Sequence, residues 1–177
     1  MAHIMFDLET WGTRPGSALR SIGAVVFDPA GGEMGAEFYR NISDESCTNL
    51  GLAKDPATMA WWARQSETAQ ASLAVNTLPL SSVVTDFHQW FKANGGEQIW
   101  CQGANFDSVL WEAAAIAAGA RPPWKFWNVR DTRTIYEVFR FNDKTLPRAG
   151  TYHNALDDAK HQVLCVQKAI ELGRVLS

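Results

Sequence analysis

Cysteine is scarce: Cys47, Cys101 and Cys165 are far apart, odd in number and without CxxC spacing. A disulfide framework and a zinc knuckle are thereby excluded as organising devices, and a reduced, cytoplasmic protein is expected. No apolar run approaches the ~20 residues that a membrane span requires. The opening Met1-Ala2-His3-Ile4-Met5 lacks the basic flank and apolar stretch of an export signal. Positive charge is in deficit, with a formal net charge of −3, which alone argues against a general polyanion-binding surface. Repeats, low-complexity stretches and linkers are missing too. The 177 residues suit one domain, 1–177, with a substantial core.

What charge there is lies unevenly. Residues 1–120 hold six basic and thirteen acidic side chains, net −7, whereas 121–148 hold seven basic and three acidic ones, net +4. The basic residues of that segment are Arg121, Lys125, Arg130, Arg133, Arg140, Lys144 and Arg148. An acidic domain with one basic segment fits a metal-binding centre beside a phosphate-binding strip, although such a segment can equally be a solvated face. Eight tryptophans are many for this length. Most belong in a core, and base stacking is their second use.

Hydrophobic periodicity outlines the fold. From His3 to Glu9 the chain alternates: Ile4, Phe6 and Leu8 point one way, and His3, Met5, Asp7 and Glu9 the other. Ser21 to Phe27 and Glu37 to Ile42 read as further strands, with Asp28-Pro-Ala-Gly-Gly as the turn between them. Asp55-Pro56 starts a helix that carries Trp61 and Trp62. Leu80 to Ala93 is a helix, Glu97 to Cys101 a buried strand, and Asp107 to Ala118 an Ala-rich helix. Phe126 to Arg130 reads as a strand, and Asp131 caps a helix to about Phe141. After a loop over 142–152, a last helix begins at His153 or Asn154 and stops at Gly173. A meander followed by alternating strands and helices predicts an α/β mixed sheet with helices packed on it.

The acidic residues fall into a pattern. Asp7 and Glu9, two apart on a strand, project from one face and repel each other unless something neutralises them; a divalent metal is the simplest candidate. Asp107, after the Glu97–Cys101 strand, sits where an N-cap would be. In the last helix the stripe Leu156, Ala159, Val163, Val166 and Ile170 faces the core. Asp158 then lies on the flank and Asp157 on the solvent side. His153 can reach the same place from the preceding loop. Taken singly, each has an ordinary structural reading; together they make an oxygen-rich site for magnesium or manganese.

These residues resemble the DEDDh (DnaQ-like) 3′-5′ exonucleases, the superfamily of the proofreading subunit of bacterial DNA polymerase III and of ribonuclease T. The motifs are Phe6-Asp7-Leu8-Glu9-Thr10, Gly103-Ala104-Asn105-Phe106-Asp107 and His153-Asn154-Ala155-Leu156-Asp157-Asp158-Ala159. The chain is also similar to a compact phage and prophage branch of 3′-5′ exoribonucleases or exodeoxyribonuclease VIII-like proteins. That similarity rests on Ser21-Ile-Gly-Ala-Val, Trp61-Trp62 and Phe126-Trp127-Asn128-Val129-Arg130-Asp131. The resemblance implies a ribonuclease H-like fold and two divalent cations, Mg²⁺ or Mn²⁺, held by Asp7, Glu9, Asp107 and Asp158. It implies His153 as general base and hydrolysis from the 3′ end of single-stranded or 3′-overhanging nucleic acid, with RNA favoured over DNA. It also implies a homodimer, since relatives place basic segments of one subunit near the active site of the other. Thr10, Trp11, Trp61, Trp62, Asn105 and Phe106 are candidates for contact with the terminal nucleotide. Arg130, Arg133, Lys144 and Arg148 are candidates for the strand backbone. Trp11 departs from the smaller residue common at its position. Competing expectations are a DNA-specific exonuclease, an endonuclease of related fold and a catalytically silent binding module.

Overall fold

The structure is a computed structural model and describes residues 2–175. Five strands form one sheet in the order β3-β2-β1-β4-β5. β1 (Ala2–Thr10), β2 (Leu19–Phe27) and β3 (Glu37–Asn41) make the antiparallel meander; β4 (Gly96–Cys101) and β5 (Val129–Asp131) add in parallel beyond β1. The mixed α/β sheet of the sequence reading, and its ribonuclease H-like character, are therefore observed.

Alternation along β1 divides the core as expected. Ile4, Phe6 and Leu8 join Phe38, Phe87, Phe91 and Trp111 on one face, under α4 (Leu80–Ala93) and α5 (Asp107–Ala117). Met5 joins Val25, Phe27 and Trp100 on the other, under α6 (Thr132–Val138) and α7 (Ala155–Val175). Asp7 and Glu9 continue the Met5 row, so the carboxylates emerge at the C-terminal end of the central strand on the α7 side.

Four local readings are corrected. Two short helices, α1 (Asp44–Asn49) and α3 (Glu67–Ala74), were not anticipated; both lack apolar periodicity and are started by Ser43 and Ser66, whose hydroxyls accept from backbone N–H groups. The helix begun by Asp55, α2 (Pro56–Trp62), lies between them. Residues Phe126–Asn128 form a 3₁₀ turn, and only Val129–Asp131 pair as a strand. α6 closes at Val138, and Arg140 follows with φ of 52°, a left-handed conformation that a helix cannot continue. α7 starts at Ala155 and runs through Gly173; a Cβ at Gly173 would lie 2.3 Å from the Phe139 ring, so this glycine permits close packing and ends nothing.

Candidate active site

Each acidic motif is placed by a different element. β1 delivers Asp7 and Glu9. Glu9 is 7% exposed, while Asp7 stays partly open to a cleft. α5 delivers Asp107 in its first turn, 2% exposed. Phe106, not Asp107, is the residue preceding the helix, and an Asp107 carboxylate oxygen accepts from the Leu8 N–H at 3.2 Å. That bond joins the second motif to the middle of the first. The turn before α5 is secured independently: Asp131 accepts from the Ala104 N–H at 2.7 Å and from the Arg133 N–H at 2.8 Å. Asp131 is thus the cap of α6 and a clamp on the Ala104–Asp107 turn as well.

α7 delivers Asp158 in its first turn. Asn154 opens the helix by accepting from the N–H groups of Leu156 and Asp157. Asp157, expected to be solvated, accepts instead from the Thr151 N–H at 2.8 Å and ties down the loop before the helix. His153 sits in that loop with φ of 62°, uncommon for a residue with a side chain. Its ring meets those of Trp61 and Trp62 edge to face, at 4.9 and 5.7 Å between centroids. One ligand atom from each of Glu9, His153 and Asp158 falls within 4.8 Å of the other two.

Electrostatics mark the same place. Burial pushes the Asp7, Glu9 and Asp107 carboxyls well above the usual range. Mutual repulsion raises Glu9 further through Asp7 and Asp107, and Asp107 through Asp7. Gln162, one turn after Asp158 on α7, donates to Asp7 at 2.7 Å and opposes the rise. The Arg148 guanidinium contacts the Asp158 carboxylate, rests against the Tyr152 ring, and lowers the proton affinity of both Asp7 and Glu9. The cluster thus draws a cation from its own chain. Such a set of hard oxygen donors, with a deficit of positive charge, fits a hard divalent cation better than a thiolate-seeking ion. Burial, with a smaller contribution from Arg148, holds the His153 imidazole below its ordinary pKa.

Two clefts adjoin the cluster. One, of about 490 Å³, is lined by Glu9, Thr10, Asp55, Trp61, Trp62 and Phe106. Thr10 is buried, its hydroxyl donating to the Gly12 carbonyl at 2.7 Å. Trp62 is 2% exposed and its indole N–H donates to the Thr10 carbonyl, whereas Trp61 is 38% exposed. The other cleft, on the Asp7 and Asp158 side, is walled by Arg133, Lys144, Arg148, Tyr152 and His161. Asn105 is exposed in the turn before α5.

Two of the anticipated contact residues lie elsewhere. Trp11 does not line the cleft: its indole N–H donates to Asp44 at 2.6 Å, and its ring stacks under the guanidinium of Arg20, which also covers Trp62 at 4.2 Å. Arg130 pairs in register with Trp100, level with Met5 and short of Asp7, and donates to the Trp127 and Val129 carbonyls. Gln162 and Arg20 were missed by the sequence reading. Gln162 carried a usable signal, its four-residue spacing from Asp158 on one helix; Arg20 carried none.

The family model for the 3′-5′ exoribonuclease Rv2179c-like domain matches residues 2–170. Over a 205-residue alignment the chain is 24% identical to the exodeoxyribonuclease of Enterobacteria phage T4, covering 96% of this chain and 89% of that one. Among solved structures, E. coli exonuclease I in complex with a dT13 oligonucleotide superposes with a TM-score of 0.72 at 12% identity, over 99% of this chain. This chain spans only 42% of exonuclease I. The nuclease domain of 3′hExo, a DEDDh family member bound to rAMP, superposes with a TM-score of 0.62 at 13% identity, over 97% of this chain and 92% of that one. With the motifs of that class gathered at the end of its central strand, the chain belongs to the 3′-5′ exoribonuclease Rv2179c-like family and is a DEDDh-type 3′-5′ exonuclease, a hydrolase of phosphodiester bonds in nucleic acid.

Proposed function

We propose that this enzyme removes nucleoside 5′-monophosphates one at a time from the 3′ end of single-stranded or 3′-overhanging RNA, with DNA as the poorer substrate. The observation that carries the reading is the convergence of Glu9, Asp158 and His153 within 4.8 Å, beside the buried Asp107 and the cleft-facing Asp7, whose carboxyls both stay above their ordinary pKa. Nucleases of the DEDDh type use divalent metal ions, and here Asp7, Glu9, Asp107 and Asp158 would hold two of them, Mg²⁺ or Mn²⁺. When bound, such ions lower the proton affinity of water and offset charge on the phosphoryl group and the leaving 3′-oxygen.

The chain's own groups do the rest. An unprotonated ring nitrogen of His153 accepts the proton of the attacking water. Its lowered pKa keeps the imidazole neutral and available at neutral pH. Its edge-on contacts with Trp61 and Trp62 fix the ring plane, and Trp62 is itself fixed to the end of β1. The terminal nucleotide occupies the cleft of Thr10, Trp61 and Phe106, with Asn105 at its edge. Arg133, Lys144 and Arg148 meet the phosphates on the other side, where Arg148 exchanges its bond to Asp158 for one to substrate.

The preference for RNA follows the family's name, and it is the part of the reading that the phage T4 relative challenges. Matched RNA and DNA strands of one sequence decide it, each supplied with Mg²⁺ as a 3′-extended duplex. RNA should shorten faster from the 3′ end, release mononucleotides and stall near the duplex. Faster loss of the DNA strand would reverse the preference. Internal fragments would refute exonucleolytic action, and tight binding without any cleavage would leave only a binding module.

A further inference from the structure

A third groove, of about 1010 Å³, runs between α5 and the segment that leads into β5, with Val109, Glu112 and Ile116 on one side and Trp124, Trp127 and Val129 on the other. One end is Ala104, in the turn before α5, and Ser108, which follows the cluster residue Asp107 in the first turn of α5. The other end is Arg121, Lys125, Phe126 and Trp127. Phe126 is 83% exposed and Trp127 57% exposed, their rings packed edge to face at 4.7 Å. The Lys125 ammonium stands 5.4 Å from the Trp127 ring centre. Adjacent aromatics of this size do not stay in water without cost, and the fold had an alternative: neighbouring Trp124 is turned inward against Phe6 and Phe91. The 3₁₀ turn that displays the pair is anchored, since Asn128 is buried and Arg130 donates to the Trp127 carbonyl.

Resting on the exonuclease reading above, we propose that Phe126 and Trp127 form a stacking platform for bases of the substrate strand upstream of the scissile bond, with Lys125 and Arg121 on its phosphates. Three observations favour a nucleic-acid strand over another occupant. The groove begins at the turn that bounds the catalytic centre, so a strand leaving that centre over Ala104 reaches the aromatics without crossing the core. Exposed flat rings interleaved with cations are the chemistry that holds single strands without regard to sequence. Among the described residues Glu112 is the one acidic side chain lining the groove, in a chain whose net charge is −3.

The test compares a 3-nucleotide with a 15-nucleotide RNA, both 3′-labelled, using wild type, the Phe126→Ala/Trp127→Ala double variant and Lys125→Glu. These side chains are exposed, and the catalytic centre is untouched. The wild type should show a lower KM for the longer strand. Loss of stacking should raise KM for the 15-mer about tenfold, leaving kcat and every parameter on the 3-mer unchanged. Lys125→Glu should raise the same KM and reduce its dependence on salt. An unchanged KM ratio between the two lengths would overturn the proposal. So would sedimentation that finds a wild-type dimer and a monomeric double variant, since the platform would then be a subunit contact. A wild type inert towards both lengths would instead overturn the exonuclease reading and this proposal with it.

Discussion

Gly23 is the point at which the backbone sets the catalytic geometry. It lies on β2 opposite Asp7, and the first turn of α7 rests on it. A Cβ there would lie 2.1 Å from the Leu156 nitrogen and 2.3 Å from the Ala155 carbonyl carbon. Ordinary contact starts near 3.4 Å, so Gly23→Ala forces the start of α7 to retreat by about 1.3 Å. Asp158 is two residues beyond Leu156 and moves with it, away from Asp7 and Glu9. Overpacking of this kind costs about 1–3 kcal/mol, or roughly 2–12 °C in Tm for a chain of this size. The effect on rate should be larger, since a displacement near 1 Å in a catalytic group costs about 100-fold. The comparison variant is Gly32→Ala. There φ is +106° and nothing lies within 4 Å, so stability falls by about 1 kcal/mol through backbone strain alone. Release of mononucleotides from a 3′-labelled single strand, measured alongside thermal melting, separates the two. Gly23→Ala should melt cooperatively at a reduced Tm and turn over about 100-fold more slowly at saturating Mg²⁺. Gly32→Ala should lose stability and keep kcat. A folded Gly23→Ala protein with kcat within threefold of wild type would refute the claim that this close approach sets the position of Asp158.

Asp107→Asn should abolish hydrolysis while stabilising the metal-free protein by about 1–2 kcal/mol, because it removes a buried carboxylate beside Asp7; urea unfolding in EDTA measures the gain, and a loss of stability would contradict it. The same variant should also lose most of the rise in Tm that Mn²⁺ gives the wild type. His153→Ala should lower kcat about 100- to 10,000-fold with little change in KM, and the acid limb of the wild-type rate profile should fall below pH 6.5, read from initial rates between pH 5 and 8. His88 reports on stability alone. Burial, and then Lys92, lower its pKa to about 4, and its Nε2 is buried without a hydrogen-bond partner. Its neutral form is the folded one, so its contribution is complete above pH 6.5 and is lost as pH falls towards 4. With its partial exposure discounted, the wild type should lose about 1–2 kcal/mol more than His88→Leu between pH 7 and 4.5, and parallel losses in urea would count against the shift.

The sequence made legible whatever depends on period and spacing. Alternation in β1 fixed which residues entered each half of the core and put Asp7 and Glu9 on one side, because a strand allows only two directions. Asp158 was separated from Asp157 by helical angle, although the inferred fate of Asp157 was incomplete: a carboxylate pointing from the core can still be used by a loop, and Thr151 uses this one. Features set by contacts remote in the chain were not legible. Trp11 looked available for stacking because nothing nearby claims it; its partners, Asp44 and Arg20, arrive through a helix and a neighbouring strand. Arg130 looked well placed because it belongs to the basic segment, but register aligns β5 with Trp100 and Met5, short of the carboxylates. Gly173 looked like a stop for the same reason: a glycine that ends a helix and one that admits the ring of Phe139 are identical in sequence. The catalytic cluster is the mixed case. Its members were readable one by one from motif and spacing. Their convergence depends on Gly23 admitting α7, on the Leu8 N–H holding Asp107, and on Asp131 clamping the turn before α5. Gly23→Ala, Asp131→Ala, or loss of the Leu8 N–H through Leu8→Pro should therefore disable the enzyme while every acidic side chain of the motifs remains in place.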